Sequence, residues 1–281
     1  MIWIVADSAQ ELKTDRENGF IVADLTINAD GIPFQPGFTA EEFYTKMEEK
    51  GVVIKSSQVA PAVYMDIFEK ILKNPEDEVI YISLAAKLSG TYNSAHLAAS
   101  GLDADRIHIV DSGTVCFSIT LLVEEAFELR KQGKSAKEIA AILEEDTKKV
   151  RFIGIVPTLE YLKRGGRISA ATAAIGDMVG IKPLLSVMDG VVGIPKKVRG
   201  LKKAYNSLPR LASEWGIDLD RPVIFGYTGL DPEPGHILKE AFDKQLDHLF
   251  PERIMPASFV LATHTGPNSA GVGFFIGELS N

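Results

Sequence analysis

At roughly 100–200 residues per domain, the 281 residues suggest two domains or one large one, and 46% apolar with 24% charged residues is the balance of a chain with a buried core. The 30 basic residues are outnumbered by 38 acidic ones, a formal net charge of −8, which argues against a nucleic-acid-wrapping surface because that needs a basic stripe. The apolar runs are too short to span a bilayer, no basic region precedes the apolar residues of the MIWIVADSAQ start, and the single cysteine, Cys116, allows no internal disulfide; a cytoplasmic chain without a transmembrane segment is expected.

Residues 2–6 read as a short buried strand ending in Asp7-Ser8, and Ser8 with Glu11 has the capping-box spacing that predicts a helix start. Residues 20–27 are strand-like. Thr39 with Glu42 forms a second capping box, Phe43 and Met47 share one helical face, and Gly51 stops that helix. A strand over 52–54 follows. Pro61 then opens a helix to about residue 74. Next come a strand over 79–84, a helix over 90–100, a strand over 107–110 and a helix over 115–131, in which Cys116, between Val115 and Phe117, reads as buried core. Ser135 with Glu138 caps one more helix, and 151–156 is the next strand. Apolar runs alternating with helices mean a mostly parallel sheet covered on both faces, a three-layer α/β unit. Ligands sit at the strand ends of such sheets, where this chain places Asp7-Ser8, Ser56-Ser57-Gln58, Ser89-Gly90-Thr91 and Asp111-Ser112.

After about residue 157 the pattern changes. Thr158 caps a short helix that stops at Gly165-Gly166, and 169–179 reads as a helix of small residues. Residues 183–188 and 191–195 flank Asp189-Gly190 as a hairpin. A helix over 199–215 is expected to kink or break at Pro209. The expected division is a parallel-sheet α/β domain over 1–157 and an α+β domain over 158–281, with an approximate boundary and segments free to interchange.

The common enzyme motifs are absent. The sequence has no G-x-x-x-x-G-K-[ST], no H-E-x-x-H and no G-x-S-x-G, and its five histidines are scattered. The tail glycines Gly271, Gly273 and Gly277 have the wrong spacing for a dinucleotide loop. No metal and no cofactor are expected. At Leu88-Ser89-Gly90-Thr91-Tyr92 a strand runs into a helix. Free N–H groups there favour an anion, Gly90 lets a ligand approach the backbone, and the Ser89 hydroxyl serves a ligand or caps the helix.

The stretch PTLEYLKRGGRIS from Pro157, continued through Ile181-Lys182-Pro183, Asp189-Gly190 and Val198-Arg199-Gly200, resembles the signature of the DegV family. Asp7-Ser8, Ser56-Ser57-Gln58, the Ser89 to Tyr92 loop, Asp111-Ser112 and Thr263-His264-Thr265-Gly266-Pro267 resemble that family's other motifs in order, so the resemblance covers nearly the whole chain. It implies two α/β domains that bury a long-chain fatty acid. It also implies a non-catalytic, bacterial, acyl-carrying subunit of a fatty acid kinase. The partner kinase subunit uses ATP to phosphorylate the bound carboxylate for phospholipid synthesis. An acyl chain gains about 0.8 kcal/mol per buried methylene, and its carboxylate needs only a few placed donors. By the resemblance, Ser56, Ser89 and Gly90 meet the head group, and His264 and Thr265 complete the network.

Four departures from the family pattern concern the head-group geometry: Ser56 stands for Thr, Val59 for Pro, Ala85-Ala86-Lys87 precede the loop at Ser89, and Asn268-Ser269 follow Gly266-Pro267. Arg167 has two readings, a basic residue at a helix end or, by the resemblance, a docking contact for the kinase subunit. The cluster Lys196, Lys197, Arg199, Lys202 and Lys203 is a solvated face or a surface for an acidic partner or phosphate. Transient contact with a membrane surface is open. The alternative function is a serine hydrolase with Ser89 as nucleophile and His264 as base, for which no elbow and no third member are evident.

Overall fold

The computed structural model describes residues 1–168 and 180–277, so the small-residue helix expected over 169–179 lies outside the described residues. The first half runs β1 (Ile2–Asp7), β2 (Phe20–Ala23), β3 (Thr26–Ala29), β4 (Ile32–Pro33), α1 (Ala40–Glu48), β5 (Ile54–Ser57), α2 (Pro61–Leu72), β6 (Glu78–Ser83), α3 (Thr91–Ala99), β7 (Ile107–Asp111), α4 (Phe117–Lys131) and α5 (Ala136–Thr147). Four of these strands form an all-parallel sheet in the order β2-β1-β6-β7. Val79, Ile80, Tyr81 and Ile82 are all buried along β6. Successive strand side chains point to opposite faces, so both faces are covered, with α2 packed on α3 and α4 on α5.

The second half runs β8 (Val150–Ile155), α6 (Glu160–Arg164), β9 (Ile181–Met188), β10 (Val191–Arg199), α7 (Leu201–Glu214), β11 (Ile224–Tyr227), α8 (Glu233–Leu246), β12 (Ile254–Pro256), α9 (Phe259–Thr265) and β13 (Ala270–Phe275). Its six-stranded sheet has the order β10-β9-β8-β13-β11-β12 and is antiparallel except between β11 and β12. Leu208 of α7, Phe242 of α8, and Phe225 and Phe274 of the sheet belong to its separate core. The β9–β10 turn is at Asp189-Gly190, both with positive φ (50° and 69°), as a two-residue hairpin turn requires. Its tip reaches the first unit, where Gly190 N donates to Gly113 O at 2.8 Å.

Several expectations are corrected. No helix follows Ser8. Its Oγ accepts from Leu25 N at 2.9 Å, and Glu11 turns inward to Cys116 and Thr120; these tertiary partners displace the local cap. Residues 20–27 are two strands, because β3 leaves the parallel sheet to pair antiparallel with β4 and β5 in a three-stranded sheet. β8 pairs with β9 and β13 and so belongs to the second sheet. α7 runs unbroken through Pro209, although proline removes a helical donor; the buried face of Ala204, Tyr205, Leu208 and Leu211 holds it in place. Cys116 is fully buried as expected, but it is more than filler: its φ is +59° and its Sγ donates to Glu11 Oε1 at 3.0 Å.

Candidate functional site

Along β5, Ile54 and Ser56 are partly buried while Lys55 and Ser57 are exposed, the period of two that any strand shows. Ser56 Oγ therefore faces inward, 2.9 Å from His264 Nε2. His264 lies in the last turn of α9, and its ring rests on Gly165: a Cβ there would stand 2.3 Å from Nδ1. Gly165 thus does more than end α6; its bare backbone seats the imidazole. Burial pushes the His264 pKa down to about 4, and the nearby positive charge of Arg167 adds to the effect. The ring is neutral at pH 7, and its buried Nδ1 has no hydrogen-bond partner among the described residues.

Arg167 follows α6 and turns inward. Its Nε donates to Leu88 O at 3.3 Å and its Nη1 to Gly165 O. The bond to Leu88 O ties Arg167 to the loop of Ser89, which borders the same cavity; Ser89 Oγ lies 2.9 Å from Thr91 Oγ1 and accepts from Thr91 N at 3.3 Å. Gly90, the N-cap of α3, has a different neighbour from the one expected: a Cβ there would lie 2.0 Å from Gln58 Oε1. The space at Gly90 belongs to Gln58, whose Nε2 donates to Ser94 Oγ at 3.0 Å. Thr265 is buried, and its Oγ1 donates back to Leu261 O at 3.0 Å.

Ser56, Gln58, Ser89, Arg167, His264 and Thr265 all border one cavity. Its space, with the open mouth included, is about 750 Å³. The other walls are apolar, mostly aliphatic with Phe152 among them, and come from both units, with Leu84 and Val115 on one side and Leu185, Val187 and Val192 of the hairpin on another. A guanidinium with hydroxyls and an amide suits a small anion such as a carboxylate, and the aliphatic walls suit a hydrocarbon chain.

The other hydroxyl-bearing strand ends serve their own loops. Asp7 accepts from Ala9 N, Leu84 N and the Tyr81 hydroxyl at 3.1, 2.8 and 2.9 Å, and Asp111 Oδ1 accepts from Ala86 N and Gly113 N, both at 3.0 Å. Of the basic cluster, Lys196 lies 3.6 Å from Glu214, while Arg199, Lys202 and Lys203 are exposed. Two cavity residues escaped sequence reasoning in this role. Gln58 stood in the quoted Ser56-Ser57-Gln58 motif without a role, and Arg167 gave no local sign of pointing inward. Among the described residues no group of three or more His, Cys, Asp or Glu side chains could hold a metal, and no helix is long and apolar enough to cross a membrane.

A DegV domain-containing protein of Caldanaerobacter subterraneus subsp. tengcongensis is 34% identical over 285 residues, covering 97% of this chain and 98% of the relative. The solved structure of a stearic-acid-binding protein from Eubacterium ventriosum superposes with a TM-score of 0.86 at 28% identity, covering 98% of each chain. At 22% identity the Streptococcus pneumoniae fatty acid kinase B3 protein, loaded with linoleic acid, shares the fold with a TM-score of 0.85 over 98% of this chain and 99% of its own. The model of the DegV family, described as uncharacterised proteins, matches residues 1–277. With that match and the relative at 34% identity, the chain belongs to the DegV family.

Proposed function

We propose that this protein carries a long-chain fatty acid and presents its carboxylate to the kinase subunit of a fatty acid kinase. The observation that carries the reading is one cavity with mostly aliphatic walls, bordered by Ser56, Ser89, Arg167 and the neutral His264. In this reading the carboxylate accepts from the Ser56 and Ser89 hydroxyls and pairs with Arg167, while the chain lies against the aliphatic walls. Arg167, which the family resemblance assigns to docking, here supplies the counter-charge. The kinase subunit brings ATP; a carboxylate oxygen attacks the γ-phosphorus, the bond to ADP breaks, and an acyl phosphate forms. The solved relatives named for stearic and linoleic acid support the ligand class.

The hydrolase alternative finds less support. His264 Nε2 is bonded to Ser56 and not to Ser89, the Ser89 hydroxyl is turned to Thr91, and no acidic group orients Nδ1 among the described residues.

Organic extraction of the purified protein with mass spectrometry, beside a titration across acyl lengths, tests the carrier reading; no acid found and none bound at any length sinks it. Acyl phosphate formation with kinase subunit and ATP tests presentation, and an acid-loaded protein that yields none overturns that part. Arg167→Ala separates the two roles of the arginine. Lost acid binding supports the head-group role, and retained binding with lost coupling returns it to docking.

A further inference from the structure

Next to the main cavity lies a second, smaller one, with about 290 Å³ of space, openings included. Phe152, Leu185, Leu261 and Thr265 border both, so these four form the wall between them. Phe152 of β8 is the largest. Its ring lies against Gly271 of β13, where a Cβ would stand 3.0 Å from both Cε2 and Cζ, and Gly154, where a Cβ would stand 3.5 Å from Cζ. Phe117 lies beyond, with ring centroids 6.3 Å apart, in a slot that a Cβ on Gly226 would close at 2.0 Å from its Cζ. The tail glycines that fit no dinucleotide loop have a role here: Gly271 and Gly273 leave room for Phe152 and Phe117.

The second chamber suits an apolar guest. Its Ser and Thr hydroxyls are already bonded to backbone carbonyls: Thr228 Oγ1 to Gly266 O at 2.6 Å, Ser269 Oγ to Thr265 O at 3.1 Å, and Thr265 Oγ1 to Leu261 O at 3.0 Å. Hydroxyls satisfied this way offer water few partners. We infer that Phe152 is a partition that sets how much acyl chain the protein holds, and that the chamber behind it takes the part of the chain the main cavity cannot. This rests on the carrier reading above.

The test is a titration of straight-chain acids from decanoate to docosanoate against the wild type, Phe152→Leu and Phe152→Ala; the leucine variant keeps the measurement available should alanine prevent folding. Each methylene newly sheltered tightens binding about fourfold, and the gain stops when the space is full. Removing the partition moves that stopping length upward by several carbons, so the longest acids bind about tenfold or more tighter than to the wild type, while acids too short to touch Phe152 bind alike. An unchanged stopping length in variants that bind short acids normally overturns the partition. Failure of the wild type to bind any acid instead removes the carrier reading, and the inference with it.

Discussion

Gly165 and Gly90 both have negative φ, −74° and −70°, so any residue could adopt their backbones; what separates them is the neighbour. A methyl at Gly165 meets a ring nitrogen of His264 at 2.3 Å, whereas one at Gly90 meets the far end of the Gln58 side chain at 2.0 Å. Gly165→Ala should push His264 off Ser56 and weaken acid binding by about 1 kcal/mol, the value of one hydrogen bond. Gly90→Ala should stay within about 0.5 kcal/mol as Gln58 swings aside; calorimetric titration of both variants checks the contrast. The His264 imidazole should titrate near pH 4 by NMR in the ligand-free protein, with Arg167→Gln moving the midpoint up. Because the folded value lies below the usual 6.5, the unfolded chain takes the proton first, and this residue costs stability as pH falls from 6.5 to 4. Ser56, Ser89 and His264 were legible as residues of one cavity through the ordered resemblance to family motifs, since the scattered histidines carry no local signature and Ser8 and Ser112, equally conspicuous, lie outside the lining. Arg167 was not: one short helix turn decides whether a guanidinium faces solvent or a cavity, and its sequence neighbours Lys163 and Arg164 are exposed.

Three segments read in the sequence as capping boxes, and two of them start helices. At Thr39 and Ser135 the reciprocal bonds form, with Thr39 N to Glu42 Oε2 at 2.7 Å and Ser135 N to Glu138 Oε2 at 2.9 Å. At Ser8 they do not, because Glu11 accepts from Thr120 Oγ1 at 2.6 Å instead. Local spacing names a cap; a partner 109 residues away in the chain cannot be read from it. Ser135→Ala should lower unfolding stability by about 1 kcal/mol and leave acid binding unchanged, since α5 contributes nothing to the cavity lining; urea unfolding beside a ligand titration measures both. α7 teaches the converse about Pro209. A buried apolar face outweighs one missing backbone donor, so an expected break became a continuous helix.

The alternation of strands and helices made the parallel sheet readable, but the partners of β8 were not, since a short apolar run looks alike in either kind of sheet. The two units are joined by polar ties. Arg221 reaches Glu125 of α4 at 3.0 Å and Asp146 of α5 at 2.9 Å while lying over the Phe275 ring of β13. Glu11 holds Cys116 and Thr120 of the first unit and, at 3.4 Å, Ser258 N ahead of α9. Burial raises Glu11 to about 7 from an ordinary 4.5, so the unfolded chain loses this proton first as pH rises, and the fold's advantage from the neutral acid is lost between those values. Wild type relative to Glu11→Gln should therefore be more stable at pH 4.5 than at pH 7.5, as paired denaturant unfolding curves would show; a difference independent of pH would refute it. The cavity walls, drawn from both units, give the molecule a property of another kind. On the carrier reading the cargo is a detachable piece of hydrophobic core, and a copy that has delivered it is an unfinished protein. At a free acid concentration of about 100 times Kd the loaded form gains about 2.7 kcal/mol against unfolding. Limited proteolysis should accordingly spare loaded copies and consume empty ones, so that the supply of fatty acid sets how long each carrier lasts.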